Sequence, residues 1–191
     1  IILIPIYNDR ESLTKLIENI NSEIKDLNSE ISVIVINDAS SQQIIDQYQN
    51  TENISSIEII NMKENRGHAR CIASGLKYIY EKKEFDYVIP MDGDGEDRPE
   101  EISNFIELSE QAGEQSIIGE RIKRSEGLFF QICYQFHKFL TLAFTGQTIK
   151  FGNFTCLSKS TIEKMLKEKA TWSSFSGSLR KVEKDLVSSP S

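Results

Sequence analysis

The sequence predicts an α/β fold, with a mostly parallel central sheet flanked by helices on both faces. Three observations predict it. Short apolar runs at residues 1–6, 31–36 and 85–91 are nearly free of polar interruptions, as strands buried on both faces are. The segments between such runs carry helical spacing, and a polar cluster follows each run. Alternation of strand and helix over roughly the first 120 residues is the pattern of a parallel sheet covered by crossover helices.

Residues 1–6 are apolar throughout, broken only by Pro5, and read as a buried strand ending in a turn. Asn8 or Asp9 then caps a helix over 11–27, where Leu13, Leu16, Ile17, Ile20, Ile24 and Leu27 form one buried stripe. Residues 31–36 are a second strand, apolar apart from Ser32. Asn37-Asp38-Ala39-Ser40-Ser41 follows it, and Ser40 with Gln43 resembles a capping box that would open a short helix. Residues 57–60 give a third strand. Ala69, Ile72, Ala73, Leu76 and Ile79 face inward on a helix over 66–82. Residues 85–91 form the fourth strand. Asp97 is placed to cap the next helix, with Pro99 in its first turn and Glu100 and Glu101 at its positive end. Residues 116–119 are the fifth strand.

The remainder is less regular. Residues 128–144, LFFQICYQFHKFLTLAF, form a helix with more apolar residues than one buried face needs. Gln131, Gln135, His137 and Lys138 make it too polar for a membrane span, so it either packs as an ordinary helix or lies on a membrane surface. Residues 149–157 read as a strand, 160–169 as a helix and 188–191 as a loop.

Composition narrows the function. A chain of 191 residues with 39% hydrophobic and 27% charged residues supports one core. The net charge of -7 argues against a nucleic-acid partner, which would need a basic stripe. Cys71, Cys133 and Cys156 are odd in number and form no CxxC, so neither a disulfide framework nor a structural zinc site is expected, and a reducing cytoplasm fits. The inner face of the cell membrane is the alternative location if residues 128–144 meet lipid. Residue 1 already lies inside an apolar run, so the chain is expected to be a piece of a longer protein.

The acidic stretch after the fourth strand, Pro90-Met91-Asp92-Gly93-Asp94-Gly95-Glu96-Asp97-Arg98-Pro99, carries the chemistry. Hard oxygen donors two residues apart can converge on one divalent cation, and glycine keeps the turn tight. A solvated turn would explain one acid, but not a pair placed at a strand end beside other polar strand ends. A calcium hand is excluded because Asp97 stands where it needs glycine and Ser103 where it needs a bidentate acid. Mg2+ or Mn2+ holding a diphosphate is the expected use. Ligands of parallel sheets bind at strand carboxyl ends, so the clusters 7–9, 37–38, 65–67 and 92–97 should share one crevice.

In this order, IPIYND, VIVINDAS, NRGHARCIASG, VIPMDGDGEDRPEEI and IIGERIKR resemble the nucleotide-sugar domain of family 2 glycosyltransferases, which have the GT-A fold. The resemblance spans about residues 1–124, continues weakly through FGNFTCLSK, and is similar to the branch acting on polyprenyl phosphate and cell-surface polysaccharide. It implies that 1–124 hold nucleotide sugar and metal, with 125–191 the acceptor side of the same domain.

The resemblance also implies roles. Pro5, Tyr7 and Asp9 belong to the first-strand motif whose loop frames the nucleoside base, unless Tyr7 is a core aromatic. Asp38 would accept hydrogen bonds from base or ribose, or simply cap a helix; Asn37 and Ala39 stand where the family has an acid and a glycine. Asn65, Gly67 and Arg70 match a segment in which glycine admits the ligand to a helix start and arginine meets the diphosphate. Arg66 or His68 could take that part, although His68 reads better as a solvated loop histidine. Asp92, Gly93 and Asp94 match the DxD motif, with Asp94 a direct metal ligand, Asp92 a contact to ribose or metal and Glu96 nearby. The ion, Mg2+ or Mn2+, would neutralise the leaving nucleoside diphosphate.

The implied activity is metal-dependent, inverting transfer from a UDP- or GDP-linked sugar to a lipid-phosphate or saccharide acceptor. Residues 148–154 carry no acid, and Lys150 lies where the family usually has one. A lipid phosphate would need no base, only cations such as Arg121, Lys123, Arg124 and Lys150. A sugar hydroxyl would need one, with Glu120 the nearest candidate. A non-catalytic nucleotide-binding module is the alternative. Nucleotidyltransferases and dinucleotide dehydrogenases are disfavoured because no glycine-rich loop follows the first strand.

Overall fold

The computed structural model describes residues 1–44, 48–119, 152–184 and 186–189. The elements are β1 (Ile2–Ile6), α1 (Arg10–Glu23), β2 (Ser32–Asn37), β3 (Ser56–Asn61), α2 (His68–Lys82), β4 (Tyr87–Pro90), a 3-10 turn (Pro99–Glu101), α3 (Ile102–Ala112), β5 (Ile117–Gly119), β6 (Thr155–Ser158), α4 (Lys159–Lys167), a second 3-10 turn (Lys169–Trp172), α5 (Phe175–Val182) and β7 (Val187–Ser189). The strands form one sheet in the order β3-β2-β1-β4-β6-β5-β7. β3, β2, β1 and β4 run parallel. β6 runs antiparallel to β4 and β5, and β7 parallel to β5.

Side chains alternate along each strand, so β1 sends Ile2, Ile4 and Ile6 to one face and Leu3 to the other. The first face packs against Leu13, Leu16, Ile17 and Ile20 of α1 and Ile102 and Phe105 of α3. The second packs against Ile72, Leu76 and Ile79 of α2, Ile162 and Met165 of α4, and Phe175 and Leu179 of α5. α2 lies close to the sheet: a Cβ at Gly75 would come within 2.4 Å of Leu3 Cδ1 and 3.0 Å of Ile36 Cγ1. The sheet is thus covered on both faces, as expected.

Pro5 shapes the centre of the sheet. Ile89 and Met91 donate to the carbonyls of Ile1 and Leu3, and β1–β4 pairing ends at Leu3↔Pro90. Pro5 has no N–H with which to continue the ladder. On its other side β1 pairs with β2 through Ile6↔Asn37. Neighbours therefore diverge at the carboxyl end of β1, which is the switch point where open α/β sheets bind ligands.

Several expectations are corrected. α1 stops at Glu23, although Leu27 still packs on the core. Residues 41–44 are not helical, and 45–47 lie outside the described residues; the Ser40 amide donates to Asn37 Oδ1 and its hydroxyl accepts from the Asn8 amide, a local side-chain pattern typical of a turn. Asp97 does not cap α3, since its Oδ2 accepts the Asp92 amide at 2.7 Å. Ser188 and Ser189, expected in a loop over 188–191, belong to strand β7, paired with β5, while 190–191 lie outside the described residues. The expected helix at 128–144 and residues 149–151 of the strand expected at 149–157 lie outside the described residues, and residues 152–154 are not strand, which begins at Thr155. No helix among the described residues is long and apolar enough to cross a membrane.

One polar clasp joins the carboxyl-terminal elements. Glu183 accepts from the Ser116 amide at 2.8 Å, the Ser116 hydroxyl at 2.9 Å and the Thr161 hydroxyl at 2.7 Å. Ser116 and Thr161 are buried, and Thr161 lies in the first turn of α4, where an anion meets the positive helix end. Glu183→Ala should therefore lower unfolding stability by about 2 kcal/mol, the scale of hydrogen bonds to a charged group. In urea unfolding the midpoint should fall with the slope unchanged; an unmoved midpoint would show that the clasp contributes nothing.

Candidate active site

The carboxyl ends of β1 to β4 carry the four polar clusters, and hydrogen bonds fasten each to a neighbour. After β1, Asn8 adopts φ 53°; its Oδ1 accepts the amides of Ser41 at 2.8 Å and Gln42 at 3.3 Å. The Asp38 amide donates to the Ile6 carbonyl at 2.9 Å. The loops after β1 and β2 are thus hydrogen-bonded to each other. Tyr7 is 53% exposed, so it is not a core aromatic. Asp9 caps α1, its Oδ1 accepting the Ser12 amide at 3.2 Å. A cleft of about 720 Å³, lined by Asn8, Asp9, Arg10, Glu11, Gln42 and Gln43, opens beside these loops and not over the acidic loop.

Asn37, at the position where an acid is usual, bridges two strands. Its Nδ2 donates to Asn61 Oδ1 at 2.7 Å and its carbonyl accepts the Met62 amide. An amide both donates and accepts, which a carboxylate at that place cannot do. Ala39 has φ 56°, a left-handed conformation that costs a non-glycine residue about 1 kcal/mol.

Asp38 is buried, and both its oxygens are occupied by backbone: Oδ1 accepts the Arg66 amide at 2.7 Å and Oδ2 the Gly67 amide at 2.8 Å. It is not a helix cap: the amides it holds belong to the two residues that lead into α2, whose first residue is His68. Gly67 has φ 85° and ψ 159°, a region essentially restricted to glycine. The loop at 62–67 is thereby drawn against the end of β2, with Asn65 exposed on it. Arg70 lines a small pocket of about 330 Å³ with Met62, Arg66, Ser74 and Trp172, and the Arg66 guanidinium pairs with Glu64.

The acidic loop lies against β1. A Cβ at Gly93 would sit 2.9 Å from Ile6 Cδ1 and 3.0 Å from the Pro5 carbonyl oxygen, so only glycine fits without a shift. Asp94 and Glu96 are exposed, and Asp94 Oδ1 accepts the Glu96 amide at 2.9 Å. Asp92 is turned inward: its Oδ1 lies 2.8 Å from His68 Nε2 and 3.2 Å from Asn153 Nδ2. Phe154, packed against Phe105 with ring centroids 4.6 Å apart and planes tilted by 47°, anchors the backbone next to Asn153.

Among the described residues no three His, Cys, Asp or Glu side chains form a ready metal cage. The exposed oxygen donors of Asp94 and Glu96 fit Mg2+ or Mn2+ held jointly with a diphosphate, since such ions take one or two carboxylates and complete their shell with phosphate oxygens and water. Glu120 and Arg121 lie outside the described residues, as do Lys123, Arg124 and Lys150.

Two residues hold places at the site that the sequence does not disclose. His68 is the first residue of α2 and not a loose loop histidine, and Asn153 had no assigned role. Both lay in quoted motifs, yet neither adjacency to Asp92 nor a shared partner can be read from positions 24 and 61 residues away in sequence. The Asp92 hydrogen bond raises the His68 pKa above its ordinary 6.5. The pair's contribution to stability is fully present below pH 6.5 and is lost as pH rises through the higher folded value; half exposure keeps it small. In an NMR titration the imidazole midpoint should lie above 6.5 and drop in Asp92→Asn; an equal midpoint in both proteins would refute the pairing.

Comparison with known proteins bears on the family and the fold. The profile of Glycosyl transferase family 2 matches residues 1–175. Undecaprenyl-phosphate 4-deoxy-4-formamido-L-arabinose transferase of Proteus mirabilis is 26% identical over 161 residues, 83% of this chain and 47% of that protein. The enzyme of the same name from Photorhabdus laumondii is 28% identical over 164 residues, with the same coverage of 83% and 47%. The chain therefore spans about half the length of these relatives. In fold it is similar to S. aureus TarS 1-349 in complex with UDP-GlcNAc, at a TM-score of 0.65 and 14% identity, covering 98% of this chain and 55% of that one. It is likewise similar to the mannosyltransferase PcManGT from Pyrobaculum calidifontis in complex with GDP-Man and Mn2+, at a TM-score of 0.64 and 16% identity, covering 99% and 54%. The match over residues 1–175 places this chain in glycosyl transferase family 2.

Proposed function

We propose that this chain is the donor-binding part of a metal-dependent, inverting glycosyltransferase that moves a sugar from a nucleoside diphosphate to polyprenyl phosphate at the inner face of the cell membrane. The observation that carries the reading is the exposed Asp94 and Glu96 pair on a loop packed against β1 at the switch point of the sheet. The undecaprenyl-phosphate named in the relatives' activity supports the acceptor.

Asp94, with Glu96 beside it, would hold the donor diphosphate together with Mg2+ or Mn2+, whose positive charge stabilises the departing nucleoside diphosphate. The amino end of α2, drawn in by Asp38 and opened by Gly67, faces the same crevice with its positive dipole. Exposed Tyr7 stands at the end of β1, where the base would lie. One oxygen of the acceptor phosphate attacks the anomeric carbon, a new C–O bond forms, and the bond from that carbon to the diphosphate oxygen breaks with its electron pair. A single displacement inverts the anomeric centre. A phosphate monoester is largely ionised at neutral pH, so no proton has to be removed. This is consistent with the lack of an acid in residues 148–154.

Calorimetric titration with UDP and GDP, each with and without Mn2+, tests the donor half. One nucleotide should bind with an affinity that Mn2+ raises, and Asp94→Ala should abolish the gain, a loss of roughly tenfold or more. Failure of both nucleotides to bind, or an unaltered Mn2+ effect in Asp94→Ala, would refute the proposal.

A further inference from the structure

Asp92 is held from two remote parts of the chain. His68, opening α2, places Nε2 at 2.8 Å from Oδ1, and Asn153, just before β6, places Nδ2 at 3.2 Å from the same oxygen and 3.5 Å from Oδ2. The Asp92 amide is fixed as well, donating to Asp97 Oδ2 at 2.7 Å. Its side chain is 19% exposed, whereas Asp94 and Glu96 stand in solvent. A carboxylate oxygen offers about two lone-pair sites, and both on Oδ1 are taken by N–H donors.

We propose that His68 and Asn153 are positioning residues that clamp Asp92, so that Asp92 braces the acidic loop through hydrogen bonds and the direct hold on the metal falls to Asp94. This rests on reading the loop as a metal–diphosphate site. Partners behind a ligand-bearing segment set its direction, and their loss commonly lowers metal affinity by about 10- to 100-fold. The clamp also connects the donor loop to α2 and to the segment entering β6. A shift in either would be felt at Asp94, two residues along the loop.

The test uses Mn2+ with UDP and with GDP as probes. His68→Ala and Asn153→Ala should each weaken Mn2+-dependent nucleotide binding by about tenfold, with Mn2+-free binding changed less. His68→Gln, whose side-chain amide can donate to the same oxygen, should restore most of the loss. In an Asp92→Ala background neither alanine substitution should have a further effect, because residues acting through one partner are non-additive. A purely structural role would leave the losses additive. Side-chain NMR of the metal-free chain gives a separate reading. A proton on His68 Nε2 and slow exchange of the Asn153 amide are expected, both lost in Asp92→Ala. Alanine variants that bind like the unsubstituted chain, additive losses, or free exchange of Asn153 would overturn the clamp. If the unsubstituted chain shows no Mn2+-dependent binding, the metal reading itself has failed, while the NMR result still decides whether the clamp exists.

Discussion

The parting of β1 and β4 beyond Leu3↔Pro90 is the constraint on which the site depends. Pro5 supplies no N–H at the place where the ladder would continue, and the acidic loop enters the resulting space. Gly93 makes that entry possible, since its backbone lies against the Pro5 carbonyl and Ile6. The opening therefore precedes the chemistry in the physical order of causes. Two apolar layers hold it in place, because α1 and α3 on one face and α2, α4 and α5 on the other leave β1 and β4 no freedom to slide.

Polar side chains around the opening act mainly on backbone. Asn8 holds the loop after β2, Asn37 ties β2 to β3, Asp38 draws in the loop before α2, and Asp97 closes the acidic loop on itself. Each is a short side chain that satisfies backbone groups for which no strand or helix provides a partner. The result is a rigid rim from which Tyr7, Asp94 and Glu96 project. Such division between fixed and projecting residues is what a site needs if it is to meet a flexible diphosphate without reorganising its own loops.

Much of this was legible in the sequence because it depends on short-range pattern. Unbroken apolar runs marked β1, β2 and β4, three- and four-residue spacing marked α1 and α2, and the ordered motifs placed Asp38, Gly67, Asp92 and Asp94 at strand ends. What was not legible depends on long-range contact or on very short elements. β7 is three residues of Val and Ser whose pairing exists only because β5 lies beside it. Residues 41–44 carry a capping pattern, but they are not helical, and Asn8, more than thirty residues earlier, holds the amides of Ser41 and Gln42, a contact that local pattern does not disclose. Asp38 looked like a contact for a ligand or a cap for the following segment, and its carboxylate instead holds the backbone amides of Arg66 and Gly67 at the entry to α2. Asn37, a departure from the family pattern, has a physical reason in Asn61 that no single sequence discloses.

The central claim is that the loop at the sheet opening binds a metal–diphosphate pair through Asp94. Its most direct measurement is an anomalous difference map from crystals grown with Mn2+ and whichever of UDP or GDP binds. The account predicts one strong peak within coordination distance, about 2.0 to 2.3 Å, of an Asp94 carboxylate oxygen and of diphosphate oxygens. A nucleotide bound elsewhere, or a manganese peak with no contact to Asp94, would contradict it.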